Sequence, residues 1–424
     1  MADAAKTPDT PAAKTIPVLL LTVLLPFGLG YYMSYLFRTV NAIIAPQLVA
    51  DVGLTAADLG MMTSAYFVTF AAVQLPLGII LDRYGPRKVQ AALMIVAAIG
   101  AAMFAFGTDA WTLVAGRAVV GLGVSACLMA ALKANVMWFP RERIPFLNGL
   151  IFAFGTFGAL STTVPLELLV KSVDWRTVFW WLAAISVVVG VLIYFVVPER
   201  SQEQKQAVAG QSAFASQVED LKQVYGSAFF WRLAAMVIVH NGVFLSYQSL
   251  WAAPWLRDVA GLDRSGVADA MLMFNIGMFL GVLSLGFLAE RIQRLGIPPI
   301  VPAGAGIAMS ILVQCLFVAQ WTDFPGLLCL LFGYFGSSSV LAYAVLAQNF
   351  PASLAGRVNT AQNMLTFIAA FTTQWAVGVI IGAYPSPGGG LYSAEGHQVA
   401  HAVFVAIEIC GFAWFIWPRR KKAA

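Results

Sequence analysis

Twelve apolar runs, each roughly 20 residues long, restrict what this sequence can fold into. Backbone polar groups in lipid must be satisfied within a helix or a closed barrel, and runs of this length favour helices. The chain is 60% hydrophobic and only 11% charged, too little charge to cover a soluble protein of this size. We therefore predict an all-α membrane protein with twelve transmembrane helices. The runs lie at 17–41, 57–80, 89–108, 112–137, 148–170, 177–197, 233–255, 267–289, 299–320, 325–346, 360–383 and 400–417.

A repeat at an offset of 208 residues divides the chain into two related halves. Five positions share it: Ala45, Pro46, Leu48, Gly53 and Leu54 recur as Ala253, Pro254, Leu256, Gly261 and Leu262. In the same register, Gly78-x-x-x-Asp82-Arg83 recurs as Gly286-x-x-x-Glu290-Arg291. Two pseudo-symmetric six-helix bundles can open a central site to either side by rocking. This organisation is typical of a transporter.

The distribution of Lys and Arg predicts the orientation. Of 25 such residues, 18 fall in segments on one side of the predicted membrane, four on the other and three inside helices. The positive-inside rule then places both termini in the cytoplasm. We expect the protein to be a monomer in a bacterial inner membrane. The predicted segments are a cytoplasmic tail at 1–16, a bundle at 17–197, a cytoplasmic linker at 198–231, a bundle at 232–417 and a basic cytoplasmic tail at 418–424.

Several classes of function are not supported by the sequence. Its basic residues are spread over loops rather than clustered on one soluble face, so no nucleic-acid partner is expected. It has no phosphate-binding loop and no His, Asp and Glu cluster, and its four cysteines lie in predicted helices without metal-type spacing. We predict no cofactor, no metal and no enzymatic activity. The expected partners are the lipid bilayer, a small-molecule substrate and a coupling proton or counter-anion.

The loop after the second apolar run reads Gly78-Ile-Ile-Leu-Asp82-Arg83-Tyr-Gly85-Pro-Arg87-Lys88. Gly78 would let a neighbouring helix approach, Asp82 would pair with a cation or with a helix N-terminus of the other half, and Gly85 would permit the turn. The loop and its second copy resemble the signature loops of the major facilitator superfamily. The resemblance implies the twelve-helix fold and a gating role for one set of residues. The set is Gly78, Asp82, Arg83, Gly85, Arg87, Lys88, Arg117, Gly286, Glu290 and Arg291.

Five charged residues fall inside predicted helices: Arg38, Arg117, Lys133, Glu167 and Glu408. A charge at the bilayer centre costs about 2.5–3.5 kcal/mol on insertion scales, so each suggests a function. Arg117, Glu167 and Glu408 are also explained by structural contacts between helices. Lys133 would either line a cavity or extend its ammonium to the membrane surface.

Arg38 stands out because it shares a helical face with other polar side chains. Residues at this spacing lie on one side of a helix. They are Tyr31, Ser34, Tyr35, Arg38 and Asn41. A guanidinium offers a planar fork that suits carboxylate or phosphate. We predict that Arg38, Tyr31, Tyr35 and Asn41 contact substrate, with an interhelical brace as the alternative for Arg38.

The pattern Arg38-Thr-Val-Asn-x-x-x-Ala45-Pro46 resembles the first helix of the anion:cation symporter branch of the same superfamily. That resemblance implies that Arg38 contacts an anionic substrate. Members of the branch often carry acids associated with proton coupling where this chain has Phe37 and Val124. Any proton coupling here is therefore expected to run through His240 or the substrate itself.

The second half supplies further candidates for the substrate site. His240, Tyr247, Gln248 and Trp251 fall on or beside one face of the seventh helix, the counterpart of the first. Asn275, Asn363 and Gln374 add polar groups from other helices, and such groups also serve as contacts between helices. Transport of a small organic anion by symport or exchange is the favoured function. Export of drugs or amphipathic metabolites, and ligand sensing without transport, are the alternatives.

Overall fold

The structure, a computed structural model, describes residues 16–140, 143–199, 214–298, 300–351, 354–386, 388 and 392–416. The predicted N-terminal tail up to residue 15, the linker from 200 to 213 and the basic tail from 417 lie outside these residues. Within the described part, eleven helices are long and apolar enough to cross a membrane. The 17-residue helix Ala56–Ala72 is a twelfth apolar helix. The predicted all-α membrane fold is confirmed.

Six helices form each half. The first half contains α1 Ile16–Val52, α2 Ala56–Ala72, α3 Gln74–Phe106, α4 Ala110–Trp138, α5 Ile144–Ser161 with Val164–Leu169, and α6 Trp175–Val196. A short linker helix, Phe214–Tyr225, lies between the halves in sequence. The second half contains α7 Ala228–Asp258, α8 Arg264–Arg294, α9 Ile300–Val318, α10 Pro325–Gly336 with Val340–Gln348, α11 Ala355–Gly382 and α12 Ala394–Ile416.

The largest differences between the predicted runs and the observed helices lie in the first three helices. The first run was predicted to end at residue 41, but α1 continues to Val52 because Ile44 and Leu48 extend its buried face. The second run, 57–80, is divided, since α2 ends at Ala72 and the following residues begin α3. Gly85, with φ 79° and ψ 157°, separates two helical parts of α3. That backbone conformation favours glycine, so the predicted turn at Gly85 is confirmed.

Side-chain caps explain where several helices begin. The Thr55 side chain accepts from the Asp58 amide and the Asp58 side chain accepts from the Thr55 amide, which forms a capping box at the start of α2. Asp109 and Asp174 likewise accept from backbone amides in the first turns of α4 and α6. Hydrogen bonds from Thr112 and Thr177 lower the pKa of these two carboxyl groups.

The sequence repeat corresponds to equivalent structural positions. Gly53 and Gly261 end the first and seventh helical regions with φ of 72° and 67°, a left-handed conformation that suits glycine. Pro46 and Pro254 line the same small pocket between the halves. The two copies of the repeat therefore face each other, as pseudo-symmetry requires.

The contacts between the halves define two sides of the molecule. We call the side of Gly53, Asp109 and Asp174 the far side, and the side of Asp82 and the linker helix the linker side. On the far side, α2 packs so closely on α11 that a Cβ added to Gly378 would lie 2.5 Å from the Ala56 carbonyl oxygen. Deeper in the bundle, the Phe70 and Phe367 ring centroids are 4.3 Å apart. These contacts join the halves from the far end of α2 to near its linker-side end.

Candidate functional site

Arg38 lies where aromatic side chains of both halves meet. Its guanidinium carbon is 4.5 Å from the Tyr35 ring centroid, 5.8 Å from that of Phe70 and 5.5 Å from that of Phe367. The residue is 5% exposed and its buried Nε has no hydrogen-bond partner. Among the described residues no carboxylate lies within ion-pair distance of Arg38. A buried cation without a counter-charge can bind an anion.

The other α1 candidates surround this guanidinium or lie one turn away. Tyr31 packs edge-on against Tyr35, with ring centroids 5.2 Å apart. Asn41 donates to Thr63 of α2 over 3.1 Å, and its buried Oδ1 has no partner. Arg38 is 14 residues from the end of α1 at Val52, about 21 Å along the helix axis. The candidates on α1 therefore lie deep within the membrane.

The α7 candidates are in contact with other helices of their own half. Gln248 donates to the Asn275 side chain of α8 over 3.4 Å. Trp251 donates to the Gln374 backbone oxygen of α11 over 2.9 Å. Tyr247 packs on His401 of α12, with ring centroids 4.2 Å apart. None of these contacts involves Arg38, although residues 247–251 pack against α1. Asn363 is half-buried on α11.

His240 is held by two neighbouring helices. Its Nδ1 lies 3.2 Å from Glu408 Oε2 on α12, and its Nε2 lies 3.0 Å from the Gly336 carbonyl oxygen on α10. His240 is 1% exposed and Glu408 is 2% exposed. The His240 side chain therefore contacts α10 and α12 of its own half.

Lys133 lies in the loop region rather than beside Arg38. Its ammonium pairs with Asp82, so the cation expected for Asp82 comes from α4 of the same half. Lys133 was predicted as a possible cavity residue, and Asp82 as a possible partner of the opposite half. In this conformation the two residues pair with each other instead. Arg87 and Lys88 lie 3.9 Å and 3.3 Å from Glu199 carboxylate oxygens at the end of α6. The loop is thus tied to α4 and α6.

One proposed reason for a glycine in this loop is wrong for the observed conformation. A Cβ added to Gly78 would meet no atom within 4 Å, so no neighbouring helix approaches it. The contacts that join α2 to α11 lie farther toward the far side, which leaves Gly78 exposed. Arg83 stacks on the neighbouring Tyr84 ring, and Arg291 is exposed. The second copy at Gly286 and Glu290 falls where the structure describes the helix but not the side chains.

Arg117 braces three helices of the first half. It donates from NH1 to the Phe37 carbonyl oxygen over 2.7 Å, and its guanidinium carbon lies 5.2 Å from the Tyr66 ring centroid. The residue is fully buried. This geometry places Arg117 between α4, α1 and α2, close to the chain segment that carries Arg38.

An ion pair joins the halves on the far side. Arg264, at the start of α8, lies 3.4 Å from Glu167 Oε2 near the end of α5. Both residues line the pocket that contains Pro46 and Pro254. Such a pair must separate if the far side opens, so it is a candidate latch on that side.

Sequence reasoning missed two features of the site. Tyr66, Phe67 and Phe70 follow a helical spacing on α2 and form aromatic contacts beside Arg38, a pattern that could have been noticed. His397 and His401 lie in α12 but had not been singled out, because residue type alone gave no sign of the α12 network. His401 Nε2 lies 3.4 Å from Gln314 Oε1, and Gln314 donates to Glu408 over 3.0 Å.

Comparison with known families now adds to the geometry. The family model described as Major Facilitator Superfamily matches residues 27–373, most of the chain. The chain belongs to the Major Facilitator Superfamily. Membership in this superfamily makes the protein an integral membrane transporter of a small molecule rather than an enzyme.

Individual relatives and structures are distant but cover most of the chain. A probable sulfoacetate transporter of Cupriavidus necator is 24% identical over 69% of this chain and 70% of its own length. A probable galactarate/D-glucarate transporter of Bacillus subtilis is 24% identical over 92% of both chains. A bacterial homolog of the human lysosomal transporter Spinster, inward-facing and unoccupied, superposes with TM-score 0.75 at 18% identity, over 95% of this chain and 97% of its own. The last likeness shows a shared major facilitator fold.

The ion pair between Asp82 and Lys133 gives a prediction about the turnover of this transporter. Asp82→Asn removes the ion pair with Lys133, so we expect slower cycling with substrate affinity kept within a few-fold. Because an exposed ion pair is worth about 0–1 kcal/mol, the turnover should fall by no more than about fivefold. Initial transport rates and equilibrium binding in proteoliposomes measure both quantities.

Asp269→Asn, at an exposed acid of α8, is the control for this measurement and should behave as the unmodified protein. Lys133→Gln should reproduce the Asp82→Asn result, and the double variant should add little, since one interaction is removed in each case. A large loss of affinity with normal turnover would contradict the gating role.

Proposed function

We propose that this transporter carries a small organic anion, a carboxylate or a sulfonate, by alternating access. The observation that carries the proposal is the buried Arg38 guanidinium, which has aromatic neighbours from both halves and no carboxylate partner among the described residues. A substrate anion would supply the missing counter-charge. The names of the relatives, which refer to sulfoacetate and to galactarate or glucarate, support the same substrate class.

The arrangement of the halves supports alternating access at this site. The Glu167–Arg264 pair and the close contact of α2 with α11 hold the halves together on the far side. Gly78 on the linker side has no close helix. An anion would reach Arg38 from the linker side once the Phe70 and Phe367 rings, 4.3 Å apart in this conformation, separate. Separation of the far-side contacts, with closure at the Asp82 loop, would expose Arg38 to the other side.

The direct test is uptake into proteoliposomes. Radiolabelled D-glucarate and sulfoacetate are presented to purified protein, with chloramphenicol as a non-anionic drug and empty liposomes as the control. We expect saturable uptake of at least one of the two anions and exchange against unlabelled anion trapped inside. Binding of an anion without flux would indicate a sensor. Transport of chloramphenicol with no anion flux would replace this proposal with drug export.

We further propose that the linker side is the cytoplasmic side of a bacterial inner membrane. The distribution of 18 basic residues on that side against four on the other carries this assignment. In a variant without native cysteines, a membrane-impermeant maleimide should label a cysteine at position 390 in intact cells. It should label a cysteine at position 210 only after the cells are broken. The reverse pattern would invert the orientation.

A further inference from the structure

The contacts of His240 determine where its protons lie. The Gly336 carbonyl oxygen, 3.0 Å from Nε2, can only accept a hydrogen bond, so Nε2 carries a hydrogen. In a neutral ring Nδ1 then bears a lone pair. An ionised Glu408 would also present a lone pair at Oε2, 3.2 Å away. Two facing lone pairs repel each other, so His240 and Glu408 form a hydrogen bond only with one additional proton between them.

That proton makes the buried pair electrically neutral. On Nδ1 it gives an imidazolium facing a carboxylate, and on Oε2 it gives a carboxylic acid facing a neutral ring. The surroundings supply little to stabilise the deprotonated pair. Gln314 donates to Oε2 over 3.0 Å, whereas the buried Oε1 has no partner. A net negative charge inside a membrane helix with one neutral donor is unfavourable. One proton between Nδ1 and Oε2 would therefore remove both the lone-pair repulsion and the net charge of the buried pair.

Other ionisable groups near the pair are few. His401 of α12 reaches it through Gln314, and Tyr247 of α7 packs on His401. The facing polar groups of α9 and α10 are uncharged, namely Gln314, the Gly336 carbonyl and the Ser339 hydroxyl. The adjacent helix α11 has no acidic, basic or histidine residue between Val358 and Gly382. Among the described residues, no Lys or Arg lies within ion-pair distance of Glu408.

A series of packing contacts lies between the His240–Glu408 pair and the Arg38 site. The helical path of α10 changes at Ser337–Ser339, directly after the carbonyl that holds His240. Ser339 donates to Asn241, the residue after His240, over 2.6 Å. A Cβ added to Gly242 of α7 would lie 3.0 Å from the Ala369 Cβ of α11, two residues from Phe367, which faces Arg38. The helix α11 therefore packs against both Arg38 and the residues of α7 that follow His240.

We propose that His240 and Glu408 form the proton-binding site that couples transport to a proton gradient. This inference rests on the proposed anion transport, and it assigns the coupling ion to the second half. The pair holds one proton in the observed conformation. It releases that proton to water in a conformation that separates α7 from α10 and α12.

The transport test uses Glu408→Gln, whose amide can donate to Nδ1 as the protonated acid does. With membrane potential clamped, one coupled proton sustains about tenfold anion accumulation per pH unit of gradient. We expect Glu408→Gln to lose this accumulation and to keep exchange of labelled for unlabelled anion. His240→Gln should alter the pH profile of uptake and also keep exchange. The matched control, Glu395→Gln, changes an exposed acid of the same helix and should accumulate normally.

A second measurement does not depend on the substrate. The proposed site holds one proton that the unfolded chain lacks above neutral pH, so the proposal requires stability to fall as pH rises. We expect Tm to decrease with pH more steeply in the unmodified protein and in Glu395→Gln than in Glu408→Gln. Equal slopes would overturn the proton site even if anions are transported. Different slopes with intact accumulation by Glu408→Gln would overturn the coupling. Different slopes without any anion transport would retain the proton site and refute the proposed substrate.

Discussion

Arg38→Ala is expected to abolish anion transport while the protein still inserts and folds. The buried guanidinium has no acidic partner among the described residues that the change would leave unpaired, so the fold should tolerate it. Loss of a buried charge contact with the anion should cost about 2–5 kcal/mol, roughly 30-fold or more in affinity. Uptake of D-glucarate and sulfoacetate measures the loss of transport. Thermal-shift titration with the same anions measures the loss of binding.

Conservative variants make this result specific. Arg38→Lys keeps the charge but removes the planar fork, so it should recover little activity. Lys222→Ala, at an exposed cation of the linker helix, is the control for a general loss of positive charge and should transport normally. Wild-type uptake by Arg38→Ala would eliminate the anion proposal and favour the exporter. A melting temperature far below that of the unmodified protein would instead indicate that Arg38 is a structural brace.

Gly378→Leu is expected to stop transport by preventing closure of the far side. A Cβ at this position would lie 2.5 Å from the Ala56 carbonyl oxygen, and this backbone atom cannot move aside as a side chain can. The two helices belong to different halves, so the conflict with Ala56 is relieved when the far side opens. The Trp251 ring of the same half, 3.1 Å from the added Cβ, need shift by only a few tenths of an ångström. Turnover should fall by at least about 100-fold, since restoring closure would require more than about 3 kcal/mol. Protein yield and thermal stability should remain close to those of the unmodified protein.

Gly382→Leu is a matched control one turn away on α11. A Cβ there would meet only the Ala56 Cβ, at 3.9 Å, an ordinary contact distance, so transport should continue. In a cysteine-free background, Ala45→Cys reports on the far-side pocket that Ala45 lines. Its alkylation by an impermeant maleimide should increase in Gly378→Leu and remain low in Gly382→Leu. Unchanged alkylation together with normal uptake would show that this helix contact does not limit the transport cycle.

Local physics explains the features that could be predicted from sequence. Long apolar runs have no alternative in lipid to helices that satisfy their own backbone. Gly85 adopts a positive φ in the predicted turn, and Gly53 and Gly261 do so at the ends of equivalent helical regions. The helical period also placed Tyr35 and Arg38 on one face, and their rings and guanidinium are in contact. Each of these properties depends on residues close together in the chain.

The partners of the intramembrane charges could not be obtained in the same way. Lys133 meets Asp82, which is 51 positions away in sequence, and His240 meets Glu408, which is 168 positions away. Helical periodicity gives the face on which a side chain lies but not the helix that packs against that face. For this reason the sequence offered structural contacts between helices as an explanation of Glu408, whereas the structure places its carboxylate 3.2 Å from His240 Nδ1.

The sequence by itself determined a membrane protein of two related six-helix halves, with a cation on the first helix and a charged loop after the second. Its number of apolar helices, its 208-residue repeat and the turn at Gly85 follow from composition and local backbone preference. Only the tertiary structure decided that Phe70 and Phe367 enclose Arg38 and that Gly378 closes the far side. These contacts depend on how one half rests on the other, and apolar surfaces in lipid carry little directional information about that arrangement.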